Sequence, residues 1–278
     1  MRRRRSIVPP PKGTTVPHAR ASDGIRIAYQ VRGDGPPLVL LAGQANDHHW
    51  WDGVRGDFSG SRSTVTIDYR GTGDSDKPQL SYSTERFADD VVAVLDELDV
   101  DRADVYGTSM GGRVAQWLAV RHPCRVRALV LGCTSAGGRH GIDRGDGVRR
   151  SLIRSDPAEA RQALLELMYT PAWLATHPGP YRTLGDRSMP AHARRGHLVA
   201  SDGHDAWDAL PGVLAPTLVL HGTDDLLNPT ANAPLLAARI PGSRLELIQG
   251  ARHAYFEECR ELAGPLVLEF LDQKVRSR

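Results

Sequence analysis

The chain has 278 residues, and its 35 Lys and Arg against 33 Asp and Glu leave a formal net charge of +2, which gives no reason to expect nucleic acid as a partner. That length buries a substantial core, and α/β folds of this size are often one domain carrying an insertion. No apolar run reaches the roughly 18 residues of a membrane span, and Cys124, Cys133 and Cys259 are too scattered for a zinc site or disulfide framework, so a cytoplasmic protein without membrane contact is expected.

The one charge run, Arg2-Arg3-Arg4-Arg5, precedes Ser6-Ile7-Val8-Pro9-Pro10-Pro11, which is too short and proline-rich for the apolar centre of a signal peptide. Residues 1–15 are therefore expected to form a disordered tail. Strand patterns follow at Arg26–Arg32, Pro37–Leu41 and Ser63–Ile67. Over Thr84–Leu98, Phe87, Val91, Val94, Leu95 and Leu98 recur at helical spacing and make one apolar stripe. A strand over Asp104–Tyr106 leads to a helix from Met110 to about His122, stopped by Pro123, and then to a strand over Val126–Leu131.

From Ser135 to Asp208 the β–α rhythm breaks. Short helical patterns, such as Pro157–Tyr169 and Pro171–Ala175, are punctuated by Pro and Gly, and Gly137–Gly141 reads as a flexible, hinge-like lead-in. The expected division is a core over residues 16–134, an inserted helical cap over 135–208, and the remainder of the core over 209–278. Strands at Pro216–His221 and Arg244–Ile248 and a helix over Glu257–Val275 complete the chain, with Leu262, Leu266, Phe270 and Leu271 expected to face inward. Leu38–Leu41, Val105-Tyr106, Leu129–Leu131 and Leu218–Leu220 are apolar runs rather than alternating ones. Strands covered by helices on both faces read this way, so the centre of the sheet is expected to be parallel.

Gly107-Thr108-Ser109-Met110-Gly111 lies between a strand and a helix. A glycine two places either side of a serine permits a turn tight enough to project the hydroxyl at the sheet edge, beside the helix amides. Ser109 is thus the candidate nucleophile. A serine hydroxyl needs a base held against it and an acid to orient that base. Asp224 and Asp225 both leave the strand ending near His221, and Asp225, three residues after Gly222 and four before Pro229, is preferred. His253 follows the next strand and completes the chain order Ser, Asp, His of this turn type. His221 is expected to pack at its strand end. The amide of Met110 and that of Gln44, in the loop after Leu41, are the candidate oxyanion donors, with Gly43 supplying backbone freedom.

These segments together resemble the α/β-hydrolase superfamily, as do Asp68-Tyr69-Arg70-Gly71-Thr72-Gly73-Asp74-Ser75 and Arg121-His122-Pro123. The resemblance covers residues 20 to 275 outside the cap. It implies a mostly parallel eight-stranded sheet and a Ser-His-Asp site that uses neither metal nor cofactor. Ala42-Gly43 departs from the His-Gly often found at the oxyanion strand end of the family. Gly43 to Asp52, with Trp51, and the run from Ser109 to Ala119 look similar to 3-oxoadipate enol-lactonases and related small-ester hydrolases. On that likeness Gly43 and Trp51 are candidate substrate contacts. Arg113 is another, since menaquinone-pathway lyases of this fold bind a substrate carboxylate with an arginine at that place; they usually carry Tyr where this chain has Thr108. Carbon–carbon bond hydrolases typically follow their histidine with Trp, and here Ala254 follows.

The function expected is hydrolysis of a small-molecule ester or lactone by a monomer or homodimer. A lyase, cyclase or acyl-transfer enzyme is the alternative, and a small-molecule receptor comes last. His48, His49, His140, His177, His192, His197 and His204 show no metal-binding spacing and are expected to be dispersed.

Overall fold

The computed structural model describes residues 16–276; the tail expected over residues 1–15 lies outside them. Strands β1 (His18–Arg20), β2 (Arg26–Arg32), β3 (Pro37–Leu41), β4 (Ser63–Ile67), β5 (Ala103–Thr108), β6 (Val126–Gly132), β7 (Thr217–Gly222) and β8 (Arg244–Ile248) form one sheet in the order β1-β2-β4-β3-β5-β6-β7-β8. Pairing is antiparallel from β1 to β2 and from β2 to β4, and parallel from there to β8. The apolar runs are the parallel centre: Leu38, Val39, Leu40, Val105, Leu129, Val130, Leu131 and Val219 are fully buried. β1 has only three residues, too few for an alternating pattern, and is held by its ladder to β2.

Helices α1 (Arg55–Ser59), α2 (Thr84–Glu97) and α3 (Met110–Arg121) link the first strands. The Ser83 side chain caps α2 by accepting from Arg86 N, and Phe87, Val91, Val94 and Leu95 bury its stripe. Between β6 and β7 lie α4 (Asp146–Leu152), α5 (Pro157–Met168), α6 (Pro171–Thr176) and α7 (Ala191–Asp202). The lead-in to this segment is tied down. Gly138 N donates to His204 O and Ala206 N to Ala136 O, so its first and last residues pair. Gly137 has φ of 70°, and a Cβ there would lie 1.9 Å from His204 O.

After β7 come α8 (Asn232–Arg239), α9 (Tyr255–Glu258) and α10 (Arg260–Arg276). The helix expected over Glu257–Val275 is thus two, broken at Cys259. Phe270 and Leu271 face the core as expected, but Leu262 is half exposed. Val267, fully buried, takes the inward stripe instead, because the break resets the helical phase. The register aligns Leu41 with Gly107, Thr108 with Gly132, and Gly222 with Ile248. The parallel strands therefore end together, and the loops that leave them share one edge.

Candidate active site

Ser109 sits between β5 and α3 with φ 56° and ψ −123°, a conformation that costs a non-glycine residue about 1–3 kcal/mol. Both flanking glycines are required by close approach. A Cβ on Gly107 would lie 2.2 Å from Gly111 O, and one on Gly111 would lie 2.2 Å from Leu41 O. The turn is held over β6: Ser109 N donates to Gly132 O (2.9 Å), and Thr134 Oγ1 donates to Ser109 O (2.7 Å).

Asp225, in the loop after β7, is buried at 2% exposure. Its Oδ2 accepts from His253 Nδ1 (2.8 Å) and His221 Nε2 (3.1 Å), and its Oδ1 accepts from Asn228 N (2.8 Å). Because the carboxylate can only accept, His253 carries its proton on Nδ1, which leaves Nε2 as the basic nitrogen. Burial pushes the Asp225 carboxyl up, but the imidazoles of His253 and His221 outweigh it and hold it at about 2. Asp224, by contrast, is exposed and bonds its neighbour Thr223. His221 does more than pack, since its Nε2–H is shared between Asp225 and Asn228 O (2.8 Å). An i,i+4 His–Asp pair straddling a turn was the available signal.

The loop bearing His253 is drawn toward β5 by its neighbour Tyr255. That phenol crosses β6 where Gly132 leaves room (a Cβ would lie 2.2 Å from the hydroxyl) and bonds the Tyr106 hydroxyl at 2.9 Å. On the other side, Ala254 N donates to Met168 O, at the end of α5.

Met110 N is the first amide of α3, and Gln44 lies just past β3. Among the described residues neither amide donates to a protein acceptor. The Gln44 turn is gripped by the segment between β6 and β7. Ala45, at φ 57°, donates its N–H to His197 Nδ1 (3.3 Å) and accepts from Asp186 N (2.7 Å). Asn46 joins Gly185 N (2.8 Å) to Gln44 O (2.8 Å). His197 Nε2 donates to Arg70 O (2.9 Å), and burial drives its ionisation down to about 4, so it is the neutral imidazole. None of these contacts had a local pattern in the chain.

The three expected substrate contacts fare differently. Trp51 is fully buried, 5.0 Å from the Tyr106 ring and 5.4 Å from Phe256. Gly43 makes room for Trp50, whose ring would lie 2.5 Å from a Cβ and whose Nε1 donates to Thr108 Oγ1 (2.9 Å). Arg113 is one turn past Ser109, but its guanidinium is taken up by Ser201 and Ser135. The histidines are not all dispersed either. Asp47, His48 and His49 bring ligand atoms within 4.8 Å of one another, with His48 Nδ1 on Asp68 (2.8 Å) and His49 Nδ1 on Asp52 (2.6 Å). Among the described residues no helix is long and apolar enough to cross a membrane.

Known proteins share this architecture. The chain is 31% identical to a 2-hydroxymuconate semialdehyde hydrolase of Pseudomonas sp., over 89% of this chain and 91% of that one. An N-acyl homoserine lactone degrading enzyme superposes with a TM-score of 0.79 at 32% identity, covering 91% of this chain and all of the other. The enol-lactonase from Burkholderia xenovorans superposes with a TM-score of 0.80 at 27% identity, covering 92% and 100%. With residues 36–258 matching the family described as the alpha/beta hydrolase fold, the eight-stranded sheet and its turn at Ser109 have a name: the chain belongs to the α/β-hydrolase family.

Proposed function

We propose that this hydrolase cleaves a small-molecule ester or lactone through an acyl-enzyme on Ser109. The observation that carries the proposal is the buried Asp225–His253 hydrogen bond, 2.8 Å long, at the sheet edge where the strained Ser109 turn opens. His253 Nε2 takes the Ser109 Oγ proton as Oγ attacks the carbonyl carbon, and Asp225 stabilises the imidazolium that results. The Met110 and Gln44 amides receive the oxyanion. The leaving alkoxide takes the proton from His253, and a water deprotonated by the same imidazole releases the acid from Ser109. The segment between β6 and β7 serves as a cap that limits water at the site. No step requires a cofactor. Support from relatives lies in the activities of the enol-lactonase and the lactone-degrading enzyme.

The test is turnover of 4-nitrophenyl esters, lactones and enol-lactones by wild type and Ser109→Ala. Wild type is expected to be active and the variant to lose at least about three orders of magnitude in kcat, with the circular dichroism spectrum retained. Equal turnover by the two proteins, or none by a folded wild type, would reject serine hydrolysis.

A further inference from the structure

Two cations near the candidate site make no salt bridge among the described residues. Arg113, on α3, has its guanidinium hydrogen-bonded to Ser201 O, Ser201 Oγ (3.0 Å) and Ser135 Oγ (3.0 Å), all neutral oxygens. Arg144, partly buried between residues 138–140 and α4, makes no side-chain hydrogen bond or salt bridge among the described residues. Partly buried charges are normally paired, because removing them from water without a partner is costly.

Arg144 is anchored to the loop of the candidate acid. Ile142, two residues before it, exchanges hydrogen bonds with the Asn232 side chain (2.8 Å each). Asn232 Nδ2 bonds Asn228 Oδ1 (3.1 Å), and Asn228 N bonds Asp225 Oδ1 (2.8 Å). The charges act on one another accordingly. Burial and then Arg144 push the Arg113 guanidinium down to about 10, while Asp225 is among the groups that favour the Arg144 cation. Of the other acids that favour it, Asp143 is exposed and paired with Arg149, and Asp202 is exposed. Arg144 thus belongs to a segment tied to the acid's loop, and it acts electrostatically on Arg113 of the nucleophile's helix.

We propose that the substrate carries a carboxylate and that Arg144 binds it, so that the enzyme is a hydrolase of anionic half-esters or carboxylated lactones; this rests on the hydrolase proposal above. The planar guanidinium presents two parallel N–H donors that match a carboxylate's two oxygens. An anion there supplies the direct ion-pair partner that neither arginine has among the described residues. Arg144 determines specificity and takes no part in bond breaking.

Two 4-nitrophenyl esters with five-carbon acyl chains, the glutarate half-ester and the valerate ester, differ only in the terminal carboxylate. Wild type is expected to prefer the glutarate ester in kcat/KM. Arg144→Gln is expected to lower that preference about 10- to 100-fold, chiefly through KM, with partial recovery in Arg144→Lys. A preference for valerate, or one that Arg144→Gln leaves unchanged, overturns the proposal. Failure of serine hydrolysis is visible separately, as turnover that Ser109→Ala does not reduce or as no turnover at all. Calorimetry with glutarate and Ser109→Ala then reads the anion site alone. Binding is expected to weaken at least about tenfold when Arg144→Gln is added; no binding, or binding indifferent to Arg144, overturns the proposal.

Discussion

Asp225 is a single carboxylate with three hydrogen-bonding tasks, accepting from two imidazoles and a backbone amide while fully enclosed. Its carboxyl is held near 2, below the ordinary 3.8. Between those values the unfolded chain binds more protons than the native one, so stability present above about pH 4 is lost as pH falls toward 2. The contribution lost between about pH 5 and pH 3 amounts to about 1 kcal/mol. Asp225→Asn is expected to flatten that part of the stability profile, read by urea unfolding at the two pH values. It is also expected to cut kcat about 10³- to 10⁴-fold, since an amide cannot enforce the Nδ1–H tautomer. Loss of the acid slope with full activity retained would remove Asp225 from the proposed mechanism while leaving its structural account standing.

Helix α7 shows how an element acts at a distance in the chain. Its His197 is fully buried, takes the Ala45 amide and gives a proton to Arg70 O, and so docks α7 on the turn that bears Gln44. The ionisation of this imidazole falls to about 4, from an ordinary 6.5, chiefly through burial. Between those values the native protein binds fewer protons than the unfolded chain. The contribution is complete above about pH 6.5 and lost as pH falls through that window toward 4. About 2 kcal/mol should disappear between about pH 7 and pH 5. His197→Asn is expected to abolish this slope. Equal slopes in variant and wild type would show that His197 stays accessible to protons when folded. Through the Ala45 contact the same variant is expected to lower kcat more than it raises KM, because the Gln44 amide serves only the oxyanion in the proposed mechanism.

At the scale of the molecule, the sheet is stapled at the end opposite Ser109. Asp104, at the start of β5, is fully buried and accepts from Arg62 Nη1 (2.6 Å) and Arg127 Nε (2.7 Å); Arg62 in turn reaches Asp272 on α10. The approach to β4 and strands β5 and β6 therefore meet at one carboxylate, and Arg62 extends the tie to the last helix. Asp104→Ala leaves Arg62 buried at 1% exposure without its inner partner. A cost of about 3–5 kcal/mol is expected, measured as a lower urea midpoint, with little change in the kcat of the molecules that remain folded. A change under about 1 kcal/mol would mean that Asp272 and water hold Arg62 unaided.

The sheet was legible along the chain because burial on both faces leaves a local imprint: Leu38–Leu41 and Leu129–Leu131 can be apolar throughout only under two helical layers. Ser109 was legible for a similarly local reason, since the crossing of Leu41 O and Gly111 O leaves no space for side chains at Gly111 and Gly107. The contact between Asp225 and His253 follows from the order in which strand ends are visited, whereas the choice against Asp224 needed the turn that buries one carboxylate and exposes its neighbour. Leu262 was misjudged because helical phase after a short break is set by packing, not by the residues themselves. The grip of His197 on Ala45, the share His221 takes of Asp225, and the unpaired state of Arg144 joined residues up to 152 positions apart. Backbone geometry and strand burial are local constraints that composition and spacing record; partners for buried polar groups are chosen only when distant segments close on one another.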